Sequence, residues 1–436
     1  MKRRTFLRSA ATLALGIQIV PRYVLGQGQT PPSAKLNIAG IGIGGQGGGV
    51  LNDMKGENIV ALCDVDSAKA AGTFKAFPNA ERFRDYRVML EKRKDIEAVM
   101  IATPDHMHAP IGVSAMQLGK HLYGQKPLAH ELYEVRRMTE IARHSGVVTQ
   151  MGIQIHSDVH YRLAVQVIQD GTIGKIKEVH SWCNKTWGDT AVLPDRSDPV
   201  PANFNWDMWL GVCAARPYLG NSYYHPGNWR KRLDFGTGTL GDMACHILDP
   251  VYESLGLVAP IAVRSEGAPP NRTNWGLSAR VIYTFAGTPR TAEDRIAVTW
   301  YDGANKPPGE VIALLEGQDF PGAGSIFVGS KGAMLLPHYD MPALFPAAQF
   351  KDFKFPKLTG FKHWEQFVED CRGNDRTRAG FDYAGPLTEA VLLGGVAARF
   401  PQTTLGWESR KLKFDLAEAN QHVRREYRSG WQVRGL

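Results

Sequence analysis

The apolar run Leu36–Ile41 leads directly into Gly42-Ile43-Gly44-Gly45-Gln46-Gly47, a G-x-G-x-x-G pattern with glycines at 42, 44 and 47. Glycines so spaced permit a tight turn, let the backbone approach a pyrophosphate, and allow the next helix to pack closely with its first amides facing the phosphates. A register starting at Gly40 also fits, so the turn alone is a weak signal, and a glycine-rich loop without a ligand is the alternative reading. The next apolar run, Ile59–Cys63, ends at Asp64, 22 residues after Gly42. That is close to the distance of about 20 expected for the carboxylate that binds the adenosine ribose. Asp66 adds a second negative charge, and no arginine follows directly, which disfavours a 2′-phosphate. NAD is therefore expected in preference to NADP.

The same rhythm continues through Ala98–Ala102, His121–Tyr123 and Val147–Met151, which read as strands, with helical periodicity in 109–118 and 132–144 between them. Strands alternating with helices imply βαβ units and a parallel sheet covered on both faces. After about residue 155 the pattern changes. Ala279-Val281-Tyr283-Phe285 and Ile296-Val298-Trp300 alternate with period two, as strands with one buried face do. The expected architecture is an α/β chain: a doubly wound Rossmann domain over 35–155, then an α+β domain over 156–436 built on a large, mostly antiparallel sheet. The stretch 336–357, rich in Pro, Phe and Asp and without periodicity, reads as a long surface excursion.

The chain carries a net charge of +8 over 436 residues, which by itself invites an acidic partner such as nucleic acid. Residues 1–26 account for much of it. They hold Lys2, Arg3, Arg4, Arg8 and Arg22 and no acid, so +8 less these five leaves +3 for the remainder. A basic start, an apolar run over 10–20 and small residues near Gly26 make a secretory signal too short for a membrane span. The pair Arg3-Arg4 followed by Phe6-Leu7 resembles a twin-arginine export signal. Residues 1–34 are thus read as signal and linker, the protein as periplasmic or otherwise exported, and the export machinery as a partner. An uncleaved N-terminal anchor is the alternative. No nucleic-acid partner and no lipid anchor are expected. The five cysteines show no C-x-x-C spacing, and no metal is expected.

Further along, 240–255 place Asp242, His246, Asp249 and Glu253 on one narrow helical stripe at about 100° per residue. A solvated helix face is the bland reading. The chemical one is a histidine beside a carboxylate, able to move a hydroxyl proton near neutral pH. Thr103-Pro104-Asp105-His106-Met107-His108 and Lys126-Pro127 follow strands at the edge where ligands gather in open parallel sheets. Tyr223, Tyr224 and Trp229 suit stacking on a sugar ring, although aromatics are more often simply buried.

These residues together resemble the Gfo/Idh/MocA family of oxidoreductases, over nearly the whole chain after residue 35. The glycine turn, Cys63-Asp64-Val65-Asp66 and Ala102–His106 are similar to its nucleotide-binding half. Gly124-Gln125-Lys126-Pro127 resembles its Glu-Lys-Pro motif, and Asp242 with His246 its Asp-x-x-x-His pair. The run from Trp229-Arg230 to His246 and the ending Glu426–Trp431 are similar to exported, twin-arginine members. The resemblance implies that Lys126, Asp242 and His246 are catalytic, with His246 as proton acceptor. It implies cofactor contacts from Gly42, Gly44, Gly47, Asp64, Thr103, Pro104, Asp105, His108, Gln125 and Lys126. Substrate contacts fall to Gln154, His156, Tyr224, Trp229, Arg230 and Asp249. The function implied is hydride transfer between bound NAD(P) and a sugar or sugar derivative in a homo-oligomer, dimer or tetramer. Two alternatives stand beside it: a redox-neutral NAD-dependent glycosidase, and a non-catalytic sugar-binding protein that keeps its cofactor. One departure is evident: Gln125 stands where the family has glutamate, so a neutral amide replaces a charge.

Overall fold

The computed structural model describes residues 34–436; the expected export signal lies outside the described residues. Six strands, β1 (Asn37–Ile41), β2 (Asn58–Cys63), β3 (Glu81–Phe83), β4 (Ala98–Ile101), β5 (His121–Gly124) and β6 (Thr149–Met151), form an all-parallel sheet in the order β3-β2-β1-β4-β5-β6. Their near-continuous apolar character follows from burial on both faces, as parallel sheets require. The three-residue β3 shows no periodicity that sequence reading can detect. Strand order reverses between β1 and β4, so the loops after these strands, at 42–47 and 102–107, diverge around a crevice at the carboxyl edge. That is where an open α/β sheet binds ligands.

A second sheet of nine strands comprises β7 (Ile176–Cys183), β8 (Ala262–Ser265), β9 (Arg280–Ala286), β10 (Arg295–Asp302), β11 (Ala323–Gly329), β12 (Ala333–Pro337), β13 (Ala343–Phe345), β14 (Thr404–Glu408) and β15 (Lys413–Phe414). Its order is β13-β12-β11-β7-β10-β9-β8-β14-β15, and every pair is antiparallel except β7 with β10. β9 alternates as expected, with Val281, Tyr283 and Phe285 buried. β10 departs from the one-faced expectation: from Val298 onward both faces are covered, because Trp182, Tyr301, Val311 and Ile326 form a second small core beneath the helix Gly309–Ala313. The expected surface excursion at 336–357 is corrected at its start, where β12 and β13 pair as an edge hairpin.

The helix Phe381–Ala397 joins the halves. Gly385 lets it approach the helix Leu132–Ser145 so closely that any Cβ would strike Thr139. Gly394 does the same against Tyr283 of β9. The C-terminal tail crosses back over the nucleotide-binding half. Arg425 Nε donates to Glu131 Oε1 at 2.9 Å, Tyr427 donates to Glu134 Oε1 at 2.6 Å, and Gln117 Nε2 donates to the Arg434 carbonyl at 2.6 Å. Burial alone would raise the Glu131 carboxyl, but Arg425 and His130 pull it down to about 2. All five cysteines are free, and no helix among the described residues is long and apolar enough to cross a membrane.

Candidate active site

Gly42 adopts φ +76°, and a Cβ there would lie 2.7 Å from the Ala102 backbone, so the left-handed turn and the close β1–β4 crossing both require glycine. Gly47 packs against the Gly42 carbonyl with no room for a Cβ, which ties the helix Gln46–Asp53 onto the turn. Gly45 and Gly49 differ: they line the cleft, and a Cβ built on either meets only open space. Asp64 is not left free for a ribose. Its Oδ2 accepts the amides of Ile43 (2.8 Å) and Gly44 (2.9 Å), and Oδ1 accepts the Asp66 amide at 2.9 Å. It still faces the cleft, together with Lys69 and Arg84, cations that the chain order around Asp64 did not bring forward.

The two domains enclose a cleft of about 1080 Å³, at the upper end of small-molecule sites. Gly42, Gly44, Asp64, Thr103, Pro104, Asp105, His108, Gln125, Lys126, Gln154, Trp229, Arg230, Asp242 and His246 all line it. Gly47, His156, Tyr224 and Asp249 do not. Tyr224 is buried among Trp206, Trp209 and Phe235. His156 and Asp249 are likewise buried and face each other: His156 Nδ1 lies 3.0 Å from Asp249 Oδ2, and the Tyr383 hydroxyl donates to Asp249 Oδ1. Burial pushes the His156 imidazole down, but Asp249 outweighs it and raises it. These three expected substrate contacts are therefore packing groups, because each is closed off from the cleft.

Two expected cofactor contacts on the cleft wall also serve as latches. Asp105 Oδ2 accepts the Thr237 amide (3.1 Å) and hydroxyl (2.7 Å), fastening the Rossmann loop to the second domain. His108 sets one ring nitrogen 2.7 Å from the Pro127 carbonyl and the other 2.9 Å from that of Thr103, joining the loops after β4 and β5.

The polar stripe is not one α-helix. Leu240–Ala244 is a π-helical turn, Cys245–Ile247 a short α-turn, and a new helix begins at Asp249 with Pro250 in its first turn, where proline is tolerated. The wider π-turn keeps Asp242 and His246 on the cleft, while the break at Leu248 directs Asp249 inward. A solvated face is excluded, since His246 and Asp249 are buried. Asp242 accepts from Lys126 Nζ (2.8 Å), Arg230 Nε (3.3 Å) and Trp187 Nε1 (2.8 Å). Burial would raise its carboxyl, but Lys126 and Arg230 hold it well below the usual carboxylate range. Burial first, then the Lys126 ammonium, hold the His246 imidazole well below its ordinary 6.5. It is thus neutral at pH 7 and able to accept a proton.

Sequence reasoning missed Lys185, just past β7, and His338 and Tyr339, between β12 and β13, all of which line the same end of the cleft. Residues 176–183 carry no period-two alternation, so nothing local marked β7, and nothing local marked the hairpin turn. Three buried polar atoms without a partner among the described residues, Thr103 Oγ1, Gln125 Nε2 and His246 Nδ1, also belong to this wall. Buried polar atoms are ordinarily satisfied, so these atoms, the open space over Gly45 and Gly49, and the waiting helix amides fit a dinucleotide with a polar substrate beside it.

A family model for the NAD-binding Rossmann fold of the Gfo/Idh/MocA oxidoreductases matches residues 35–153, and one for their C-terminal alpha/beta domain matches 171–433. The chain belongs to the Gfo/Idh/MocA oxidoreductase family. It is 29% identical over 192 residues to the levoglucosan dehydrogenase of Pseudarthrobacter phenanthrenivorans, a match covering 44% of this chain and 40% of that one. The inositol 2-dehydrogenase of Salmonella typhimurium is 29% identical over 150 residues, 34% of this chain and 44% of that enzyme. The matched region thus spans about two fifths of the length of these relatives. A similar fold is found in the WlbA dehydrogenase from Bordetella pertussis, solved with NADH and UDP-GlcNAcA. It has a TM-score of 0.61 at 16% identity, covering 86% of this chain and 99% of that one.

Burial of neutral histidines gives this family member a pH signature. His106 and His246 are held well below 6.5, chiefly by burial, and burial pushes His338 to about 4 and His363 to about 3. The unfolded chain therefore binds more protons below pH 6.5. The stability these groups contribute is complete above that value and is lost as pH falls through the folded values, at up to about 1.4 kcal/mol per group and pH unit. His156, raised, acts in the opposite sense, and its share fades as pH rises through its raised value. The net expectation is a thermal midpoint several degrees lower at pH 5 than at pH 7; equal midpoints would refute it.

Proposed function

We propose that this protein transfers hydride between an alcohol carbon of a sugar or sugar derivative and a bound nicotinamide dinucleotide, NAD in preference to NADP. The observation that carries the reading is the meeting in one cleft of the Lys126–Asp242 pair and His246 with Thr103 Oγ1 and Gln125 Nε2, which have no partner among the described residues. Gly42, Gly44, Thr103, Gln125 and Lys126 would hold the dinucleotide, which would supply the acceptor for the hydride of the alcohol carbon. The neutral His246 imidazole takes the hydroxyl proton, so the alcohol becomes a carbonyl. Asp242 favours the imidazolium that results and anchors the Lys126 ammonium, which steadies the developing alkoxide. Gln125 Nε2 supplies an uncharged donor, suited to a ribose hydroxyl or carboxamide oxygen. Relatives named as dehydrogenases of levoglucosan and inositol support a carbohydrate substrate. Asp64 on the cleft wall supports NAD, since a 2′-phosphate would meet its charge, although Lys69 and Arg84 stand beside it; the Asp66 carboxylate is held by Asn203 and His225 instead.

Export through the twin-arginine route further implies a cofactor bound before export and recycled in place, since free nicotinamide nucleotides are scarce outside the cytoplasm. The C-terminal tail supports such retention: Trp431 lines the cleft near Asp85 and Tyr86 and is stacked by the Arg87 guanidinium, 4.2 Å from its ring centre. Denaturing the purified holoprotein is expected to release NAD in an amount matching the chains, and Trp431→Ala to speed dinucleotide release about 10-fold or more. Dinucleotide far below the chain concentration would overturn retention. A sugar panel that never changes bound-nicotinamide absorbance would overturn hydride transfer.

A further inference from the structure

Past β7 the chain leaves the sheet at Cys183 and carries Asn184 and Lys185 into the cleft beside the π-turn. The Lys185 ammonium lies 3.2 Å from Met243 Sδ, a weak acceptor, and has no carboxylate partner among the described residues. Arg230 is only partly engaged. Its Nε donates to Asp242 and its plane stacks over Trp229 at 4.3 Å, while its two terminal nitrogens donate to nothing among the described residues. Lys126 and Arg230 share the single carboxylate of Asp242. Three cations therefore meet one anion at this end.

The other acids of the cleft do not redress the balance. Asp53, Asp64 and Asp85 belong to the nucleotide end, and Asp105 is engaged by Thr237. Asp158, whose charge reaches His338 and Tyr339, caps the helix Val159–Gln169 through the His160 amide. His246 and His338 add no positive charge at pH 7, since burial holds both below 6.5. An oxidised nicotinamide brings one positive charge more. Uncompensated like charges in a partly enclosed site favour a ligand that supplies the opposite sign.

We propose that the substrate is an acidic sugar, bearing a carboxylate or phosphate ester, and that Lys185 and the outer edge of Arg230 receive that group. A guanidinium edge and an ammonium suit both oxyanions. The assignment rests on the oxidoreductase reading of the same cleft and adds to it the charge class of the substrate.

The test uses the holoprotein with glucose, glucuronate and glucose 6-phosphate, reading tryptophan fluorescence for binding and nicotinamide absorbance for turnover. At least one acidic sugar is expected to bind about 10- to 100-fold more tightly than glucose, with the gap narrowing as salt rises. Lys185→Gln is expected to close most of that gap and Lys185→Arg to keep it; Lys185 is exposed, so neither change threatens folding. The carboxylate and phosphate arms identify which oxyanion is recognised. Glucose binding as tightly as both acidic sugars, or a preference untouched by Lys185→Gln, overturns the charge assignment while leaving hydride transfer standing. No response to any sugar of either charge overturns the oxidoreductase reading and this assignment with it.

Discussion

Replacing His246 by Ala lowers the rate of bound-nicotinamide reduction by about 10²- to 10⁴-fold, the range of a lost general base, while dinucleotide content stays unchanged. The expectation rests on a buried, neutral imidazole whose Nδ1 has no partner among the described residues. It lies at the domain junction, away from the glycine turn. The companion His246→Gln keeps most of the volume and a hydrogen-bonding end but cannot take a proton at neutral pH, so it separates a lost base from a collapsed pocket. Because the imidazole is held below 6.5, the acid limb of kcat/KM in the native protein is expected below the usual histidine value. Native-like turnover by both variants would remove His246 from the mechanism.

Asp242→Asn is expected to act almost as strongly through a different route. The carboxylate holds Lys126, Arg230 and Trp187 at once, with only 11% of the Asp242 side chain exposed. An amide keeps the shape but loses the charge, leaving Lys126 and Arg230 facing each other without an anion. Removing one partner from such a buried pair costs about 3 kcal/mol or more in stability. The charge of Asp242 also raises the His246 imidazole against the pull of Lys126 and His338, so its loss disfavours the imidazolium formed during oxidation. A fall of about 10²- to 10³-fold in kcat is expected, with an acid limb moved still lower in pH. Thermal melting and a pH–rate profile measure the two effects separately. A variant equal to the native protein in both would show that Asp242 only caps its turn.

Much of this molecule was legible in the chain because it depends on local rules. A glycine turn after an apolar run, an acid 22 residues on, and strands alternating with helices specify a Rossmann half, since parallel strands buried on both faces must be apolar and their crossovers helical. Period-two alternation announced β9 and β10 for the same kind of reason. Lys126, Asp242 and His246 were also found in sequence, the first at the end of a strand and the others on one helical face, and the fold brings them to one cleft across a separation of 116 positions for Lys126 and Asp242.

What only the tertiary structure decided was which polar groups face the ligand and which face each other. Asp249 shares its stripe with Asp242 and His246 in a helical projection, yet a π-turn and a break at Leu248 send it to His156 and Tyr383 instead. Asp105 and His108 line the cleft and at the same time fasten loops and domains to one another. Lys185, His338 and Trp431 reach the cleft from a strand end, a hairpin turn and the far terminus. Periodicity records which side of an element is polar, because that is fixed within a few residues. Whether a polar side meets water, a partner or a substrate depends on groups distant in sequence, and only packing brings those together.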